Sequence, residues 1–170
     1  RKMTSNIFLD SILFKFCDER LFLGTFSADT LPNYKLCINK HLISNYSKKH
    51  EAGTHFIAMS ISKNKVFIFD PYGQPMMNPI ILNHFPAKLK FLHSKHVIQS
   101  DSSISCGLFC IGYILSKRLK ITFNDFISIF NRGNNLDQND IIIGKFIVKC
   151  IQYLKRNNRK KVIKMKNKKS

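Results

Sequence analysis

At 170 residues, 44% hydrophobic and 12% aromatic, the chain has the make-up of one folded domain with its own core, and a disordered segment is excluded. No apolar run is long enough to span a bilayer. The nearest, "IIIGKFIVKC", is broken by Lys145 and Lys149, and the opening residues show no signal-peptide pattern, so neither a membrane protein nor a secreted one is expected. The 28 Lys and Arg against 10 Asp and Glu leave a formal charge of +18, which favours a polyanionic partner, nucleic acid above all. The excess is mostly lysine, 22 against 6 arginines, which also fits the plain composition of an AT-rich genome.

In chain order, "SNIFLDSILFKFCDE" (5 to 19) places Ile7, Phe8, Ile12, Leu13 and Phe16 at helical spacing behind a Ser5-Asn6 cap, which predicts a helix. "LFLGTFSADTLPN" reads as a loop or short strand ended by Pro32, and 34 to 47 has room for a strand. "THFIAMSIS" and "KVFIFD" are rich in β-branched and aromatic residues on either side of Lys63-Asn64, a hairpin signature. "PYGQPMMNP" is turn-rich, and "LKFLHSKHVIQS" alternates as another strand. From Ser105 to Arg118 the pattern is helical; a short helix fits 123 to 131 behind Thr122, and a last one runs from about Gln138 to Leu154. Helix, strands, then helices gives an α+β plan around one antiparallel-rich sheet. The reading divides the chain into a domain over 1–154 and a basic tail over 155–170.

The five cysteines, Cys17, Cys37, Cys106, Cys110 and Cys150, form no CxxC pair and no zinc-ligand array, which suits a reducing setting. Cys106 stands where a polar loop gives way to an apolar helix. A sulfur there faces the first free N–H groups and the positive end of the dipole, which favours thiolate. Cys110, one turn on between Phe109 and Ile111, reads as a small buried hydrophobe. The same spacing also fits two core cysteines.

A nucleophilic thiol needs a base and a group to orient it. With a two-residue turn at Lys63-Asn64, partners across the hairpin sum to 127, so Ile57 faces Asp70. His55 and Asp70 then become diagonal neighbours on one face, roughly 7 Å apart at the backbone. His93 and His96 point to opposite faces of a strand and make a poor metal pair. His41, His50 and His84 read as loop or surface residues. Asp70 opens "DPYGQP" and could simply cap that turn. Gln99, seven residues before Cys106, reads either as a strand-end polar residue or as an amide donor to an oxyanion.

"FLGTF" (22 to 26), "GTHFIAMSI" (53 to 61), "VFIFDPYG" (66 to 73) and "QSDSSISCGLFC" (99 to 110) resemble, in order, the successive motifs of the adenovirus-type cysteine proteases, adenain and its relatives in the clan that includes the SUMO-specific proteases. The resemblance covers roughly residues 21 to 116. It implies His55 as base, Asp70 as its orienter, Cys106 as nucleophile and Gln99 in the oxyanion hole, with Cys110 in the core behind. It further implies an endopeptidase that matures capsid or virion precursors at small-residue sites, Gly in particular. Such an enzyme would work in the virion and the host nucleus or cytoplasm, with no small-molecule cofactor or metal. DNA and an activating peptide would be its cofactors.

The sequence also departs from the family. Phe56 stands where the family usually has Trp, and Asp70 where adenain has Glu. No cysteine lies between Cys37 and Cys106, whereas the adenovirus enzyme binds its peptide cofactor through one placed there. Two other readings remain open: a deconjugase for a ubiquitin-like modifier, which the seven-residue Gln99–Cys106 gap disfavours, and a DNA-binding virion protein with an inactive protease-like core.

The tail supplies the expected non-specific DNA contact through Lys155, Arg156, Arg159, Lys160, Lys161, Lys164, Lys166, Lys168 and Lys169, nine cations with no acidic residue among them.

Overall fold

In the computed structural model, residues 5–166 are described, with side chains through residue 158. The expected first helix forms as α1 (Asn6–Leu13), with the Ser5 hydroxyl accepting from the Phe8 N–H as an N-cap should. Strand β1 (Phe22–Phe26), a short helix α2 (Tyr34–Cys37) and strand β2 (Lys40–Asn45) follow. The hairpin strands are β3 (Phe56–Ile61) and β4 (Lys65–Phe69). Helix α3 (Pro79–His84) leads to β5 (Lys90–His93). The long helix α4 (Cys106–Arg118), α5 (Phe123–Ser128), a 3-10 turn (Gly133–Gln138) and α6 (Asn139–Lys166) complete the chain.

The five strands lie in the order β1-β2-β3-β4-β5. The central pairs β2–β3 and β3–β4 are antiparallel, and the two outer pairs are parallel, so the sheet is mixed. A parallel neighbour requires a crossover rather than a tight turn. The segments holding α2 and α3 supply both.

Alternation along the central strands sends side chains to two cores. Phe56, Ala58 and Phe69 join Leu9, Leu13 and the α4, α5 and α6 residues on one face. Ile57, Met59, Val66 and Ile68 join Cys37, Ile81 and Phe85 on the other. Helix α4 is buried at ten of its thirteen positions, which makes it the central helix of the domain. It lies close to α6, since the Ile143 side chain fills the space a Cβ on Gly112 would need.

Four local expectations change. The turn-rich stretch ends in a helix: Asn78 caps it, Pro79 opens it and it runs through His84, a residue read as loop or surface; the first helical position is where proline is tolerated. The strand expected through 100 closes at His93. His41 is no loop residue but part of β2, half-buried, with Nδ1 2.7 Å from the Ser60 hydroxyl. The last helix continues beyond Leu154 to Lys166, because Lys and Arg are good helix formers even without an apolar face. Leu154 is the last buried residue among those described.

Candidate active site

The hairpin register is the one the arithmetic requires. Ala58 faces Phe69, Met59 faces Ile68, Ser60 faces Phe67 and Ile61 faces Val66, each pair summing to 127. The Ser62 N–H closes the turn on the Lys65 carbonyl at 2.9 Å. Just beyond the open end of that hairpin, His55 Nε2 meets Asp70 Oδ1 at 3.0 Å. Asp70 is almost wholly buried, and the same oxygen accepts the Tyr72 N–H at 2.8 Å, so the carboxylate is held from two sides.

With Nε2 committed to Asp70, the other ring nitrogen is left to serve the nearby Cys106 thiol. Burial pulls the His55 pKa down. The hydrogen bonds and negative charges of Asp70 and Cys106 together outweigh it and raise the pKa to about 9, so the ring is an imidazolium at neutral pH. Two aromatic rings bracket it: Tyr46 edge-on at 5.2 Å and Tyr72 tilted by 36° at 5.0 Å.

Cys106 is the first residue of α4. Its backbone N–H and that of Gly107 have no partner among the described residues, as the first N–H groups of a helix do not. Cys110 lies one turn on with no exposed surface, and burial raises its thiol pKa well above the ordinary value. One sulfur therefore sits beside a cation and a helix start, and the other is sealed in the core.

Gln99 is also buried, and the turn beneath it explains its place. The Gly73 N–H closes on the Asp70 carbonyl at 3.0 Å, and the Pro71 carbonyl accepts the N–H groups of Ile98 and Gln99 at 2.9 and 3.1 Å. The turn that presents Asp70 thus also anchors the strand of chain bearing Gln99. The Gln99 amide donates to the Ser103 carbonyl at 3.0 Å and to the Tyr72 hydroxyl at 3.2 Å, while its Oε1 has no partner.

A cleft of about 310 Å3 lies between the start of α1 and the loop after β2, lined by Ser5, Asn6, Ser47, Lys48, Lys49 and Phe56 among others; His55, Asp70, Gln99 and Cys106 do not line it. No group of three or more His, Cys, Asp or Glu capable of holding a metal occurs among the described residues. His84 Nε2 lies 2.8 Å from the Pro32 carbonyl and makes no bond to the site residues. Of the cations named for DNA, Lys155 and Arg156 are exposed on α6. The side chains of Arg159, Lys160, Lys161, Lys164 and Lys166 lie outside the described set, as do Lys168 and Lys169 altogether.

Sequence reasoning did not single out Tyr72 and Tyr46. An aromatic in the turn "DPYG" was the available signal for Tyr72. For Tyr46 nothing but its place just past the end of β2 could have served.

A thiol, an imidazolium and a buried carboxylate in this order can perform nucleophilic attack on a carbonyl with proton transfer by the ring. No family model matches the chain, and no curated protein matches it. Among solved structures, the chain is similar to the central domain of the uncharacterized Lpg1148 protein from Legionella pneumophila, with a TM-score of 0.55 at 14% identity over 91% of this chain and 98% of that one. An ASFV protease aligns with a TM-score of 0.39 at 17% identity over 61% of this chain and 42% of its own. AvrA with IP6 and CoA aligns with a TM-score of 0.48 at 17% identity over 79% and 53%. The Lpg1148 domain shares the fold across nearly its whole length. No helix among the described residues is long and apolar enough to cross a membrane.

Proposed function

We propose that this chain is a cysteine endopeptidase in which Cys106 is the nucleophile, His55 the proton carrier, Asp70 the orienter of His55 and Gln99 a donor to the oxyanion. The observation that carries the proposal is the His55 ring, bonded to a buried carboxylate and close to a thiol at the first residue of a helix. The Cys106 thiolate attacks the scissile carbonyl and forms a C–S bond. The resulting oxyanion lies against the free N–H of Cys106 and the Gln99 amide. His55 gives its proton to the departing amine, leaving a thioester. The neutral ring then takes a proton from water, whose oxygen attacks the thioester and releases the acid and the thiol.

The motif resemblance favours protein substrates cut after small residues, Gly in particular, in capsid or virion precursors. We include non-specific DNA contact through the basic end of α6 in the proposal. We exclude a disulfide-linked peptide activator of the adenovirus kind, because the cysteine it would use is missing.

The test combines a peptide library spanning Gly-Gly-X sites with iodoacetamide labelling near pH 6 read by mass spectrometry. Wild-type protein should cleave members of the library and label at Cys106. Cys106→Ala should do neither, and Cys110→Ser should do both. Labelling at Cys110 ahead of Cys106 would overturn the assignment.

A further inference from the structure

Tyr72 touches Asp70, His55 and Gln99, and no step above uses it. Its N–H donates to Asp70 Oδ1, the oxygen that holds His55. Its ring lies against the imidazole with centroids 5.0 Å apart. Its hydroxyl accepts from Gln99 Nε2 at 3.2 Å and donates to the Ser103 carbonyl at 3.3 Å. That carbonyl has two lone pairs and takes a second bond from the Gln99 amide at 3.0 Å.

Both Gln99 amide hydrogens are therefore committed, although an oxyanion needs one of them. The bond to Tyr72 is the longer of the two, and it can be surrendered without stranding a donor. If one Gln99 N–H swings to an oxyanion, the other stays on Ser103. The Tyr72 hydroxyl keeps its own bond to the same carbonyl and loses only an acceptor role. An unpaired buried donor carries the large penalty, and an idle second lone pair does not. Burial, then the negative charges of Cys106, Asp101, Asp70 and Asp140, push the Tyr72 pKa up, so the hydroxyl keeps its proton at neutral pH.

Resting on the thiol-hydrolase reading above, we infer that Tyr72 is a positioning residue: its hydroxyl parks the Gln99 amide in the resting site and releases one N–H to the oxyanion, while its ring fixes the His55 imidazole. The arm that orients the base and the arm that stabilises the oxyanion thus share one side chain.

The experiment uses p-nitrophenyl acetate, an acyl donor with no demand on substrate sequence, and follows acylation of Cys106. Tyr72→Phe should raise the acylation rate constant about five- to ten-fold, because the resting hydrogen bond that must be given up on the way to the oxyanion is gone. Half-saturation and the His55 titration should stay as in wild type. In a Gln99→Ala background the same change should have no further effect, because its whole action passes through Gln99. Tyr72→Leu, which also removes the ring, should in addition displace the His55 titration. Circular dichroism would confirm that each variant is folded, and Tyr72→Phe carries the test alone if Tyr72→Leu is not. Effects that multiply independently in Tyr72→Phe/Gln99→Ala, or a Tyr72→Phe rate no higher than wild type, would overturn the role of Tyr72 and leave the hydrolase reading standing. Failure of the wild-type chain to be acylated at all would overturn that reading, and this one with it.

Discussion

Asp70→Asn isolates the electrostatic part of the site. The asparagine keeps the side-chain shape and an oxygen for the Tyr72 N–H, but it carries no charge and offers His55 a weaker acceptor. In the wild type, burial lowers the His55 pKa, and the Asp70 and Cys106 contributions lift it past its ordinary 6.5 to about 9. At about 1.4 kcal/mol for each pH unit, that rise corresponds to about 3 kcal/mol of preference for the protonated ring. The folded-state pKa is the raised one. The stabilisation is therefore complete below the unfolded value near 6.5 and is lost as pH climbs through about 9. Without the carboxylate, the burial penalty remains and half of the opposing partners are gone, so the ring should titrate at about 7 or lower. A two-bond 1H–15N correlation titration on 15N-histidine protein reads this directly, with His55 assigned through His55→Gln. Amide hydrolysis needs the imidazolium to protonate the leaving amine, so its alkaline limb should move to lower pH by the same interval. A His55 resonance still titrating near 9 in Asp70→Asn would refute the claim that Asp70 holds the charge.

Two further outcomes follow from the geometry. Gly73 has φ +66°, and a Cβ there would come within 3.0 to 3.1 Å of backbone atoms of Lys95, His96 and Val97. Gly73→Ala should therefore cost about 1–3 kcal/mol in urea unfolding and slow Cys106 acylation by displacing Gln99; an unchanged midpoint with unchanged rate would show that the segment yields freely. Truncation after Leu154 removes nine cations while sparing the last buried residue. The salt slope of DNA binding should fall by about 0.9 for each phosphate that the shortened chain no longer neutralises, with peptide cleavage in the absence of DNA retained; an unaltered slope would move the DNA-binding surface to the packed domain.

The parts of the fold legible in the sequence are those whose periodicity is enforced by burial on one side or two. The β3–β4 register followed from a two-residue turn because a slip of one residue would turn every side chain to the wrong core. Helices α1, α4 and α5 announced themselves by spacing and caps. The parallel outer pairs were not legible, since alternation says which face a residue takes and nothing of which neighbour it pairs with. α3 was masked by the proline that opens it. Asn78-Pro79 is a helix start as well as a turn signal, and "PIILNH" carried the apolar residues to follow it. The end of α6 was misjudged for a different reason. The expectation was tied to burial, which does stop at Leu154, whereas the backbone follows intrinsic propensity for three turns more.

The site shows the same division. His55 and Asp70 could be paired on paper because both sit at ends of strands whose register is fixed, and Cys106 could be placed because a helix must begin somewhere near it. What the sequence could not supply was how the arms join, since that depends on a tight turn folding back against a segment more than twenty residues on. The Pro71 carbonyl binds Ile98 and Gln99, and the same turn lays Tyr72 across His55. One four-residue turn thus fixes the distances among a base, its carboxylate and an amide from three separate stretches of chain. A turn with that duty tolerates little change. Its Gly73 is required by φ and by the backbone packed against it, and its aromatic stands at a position where turn propensity alone would have favoured a small polar residue. A bulky aromatic between an acid and a glycine in a tight turn is therefore better read as a packing partner than as punctuation, and here that packing spans the whole candidate site.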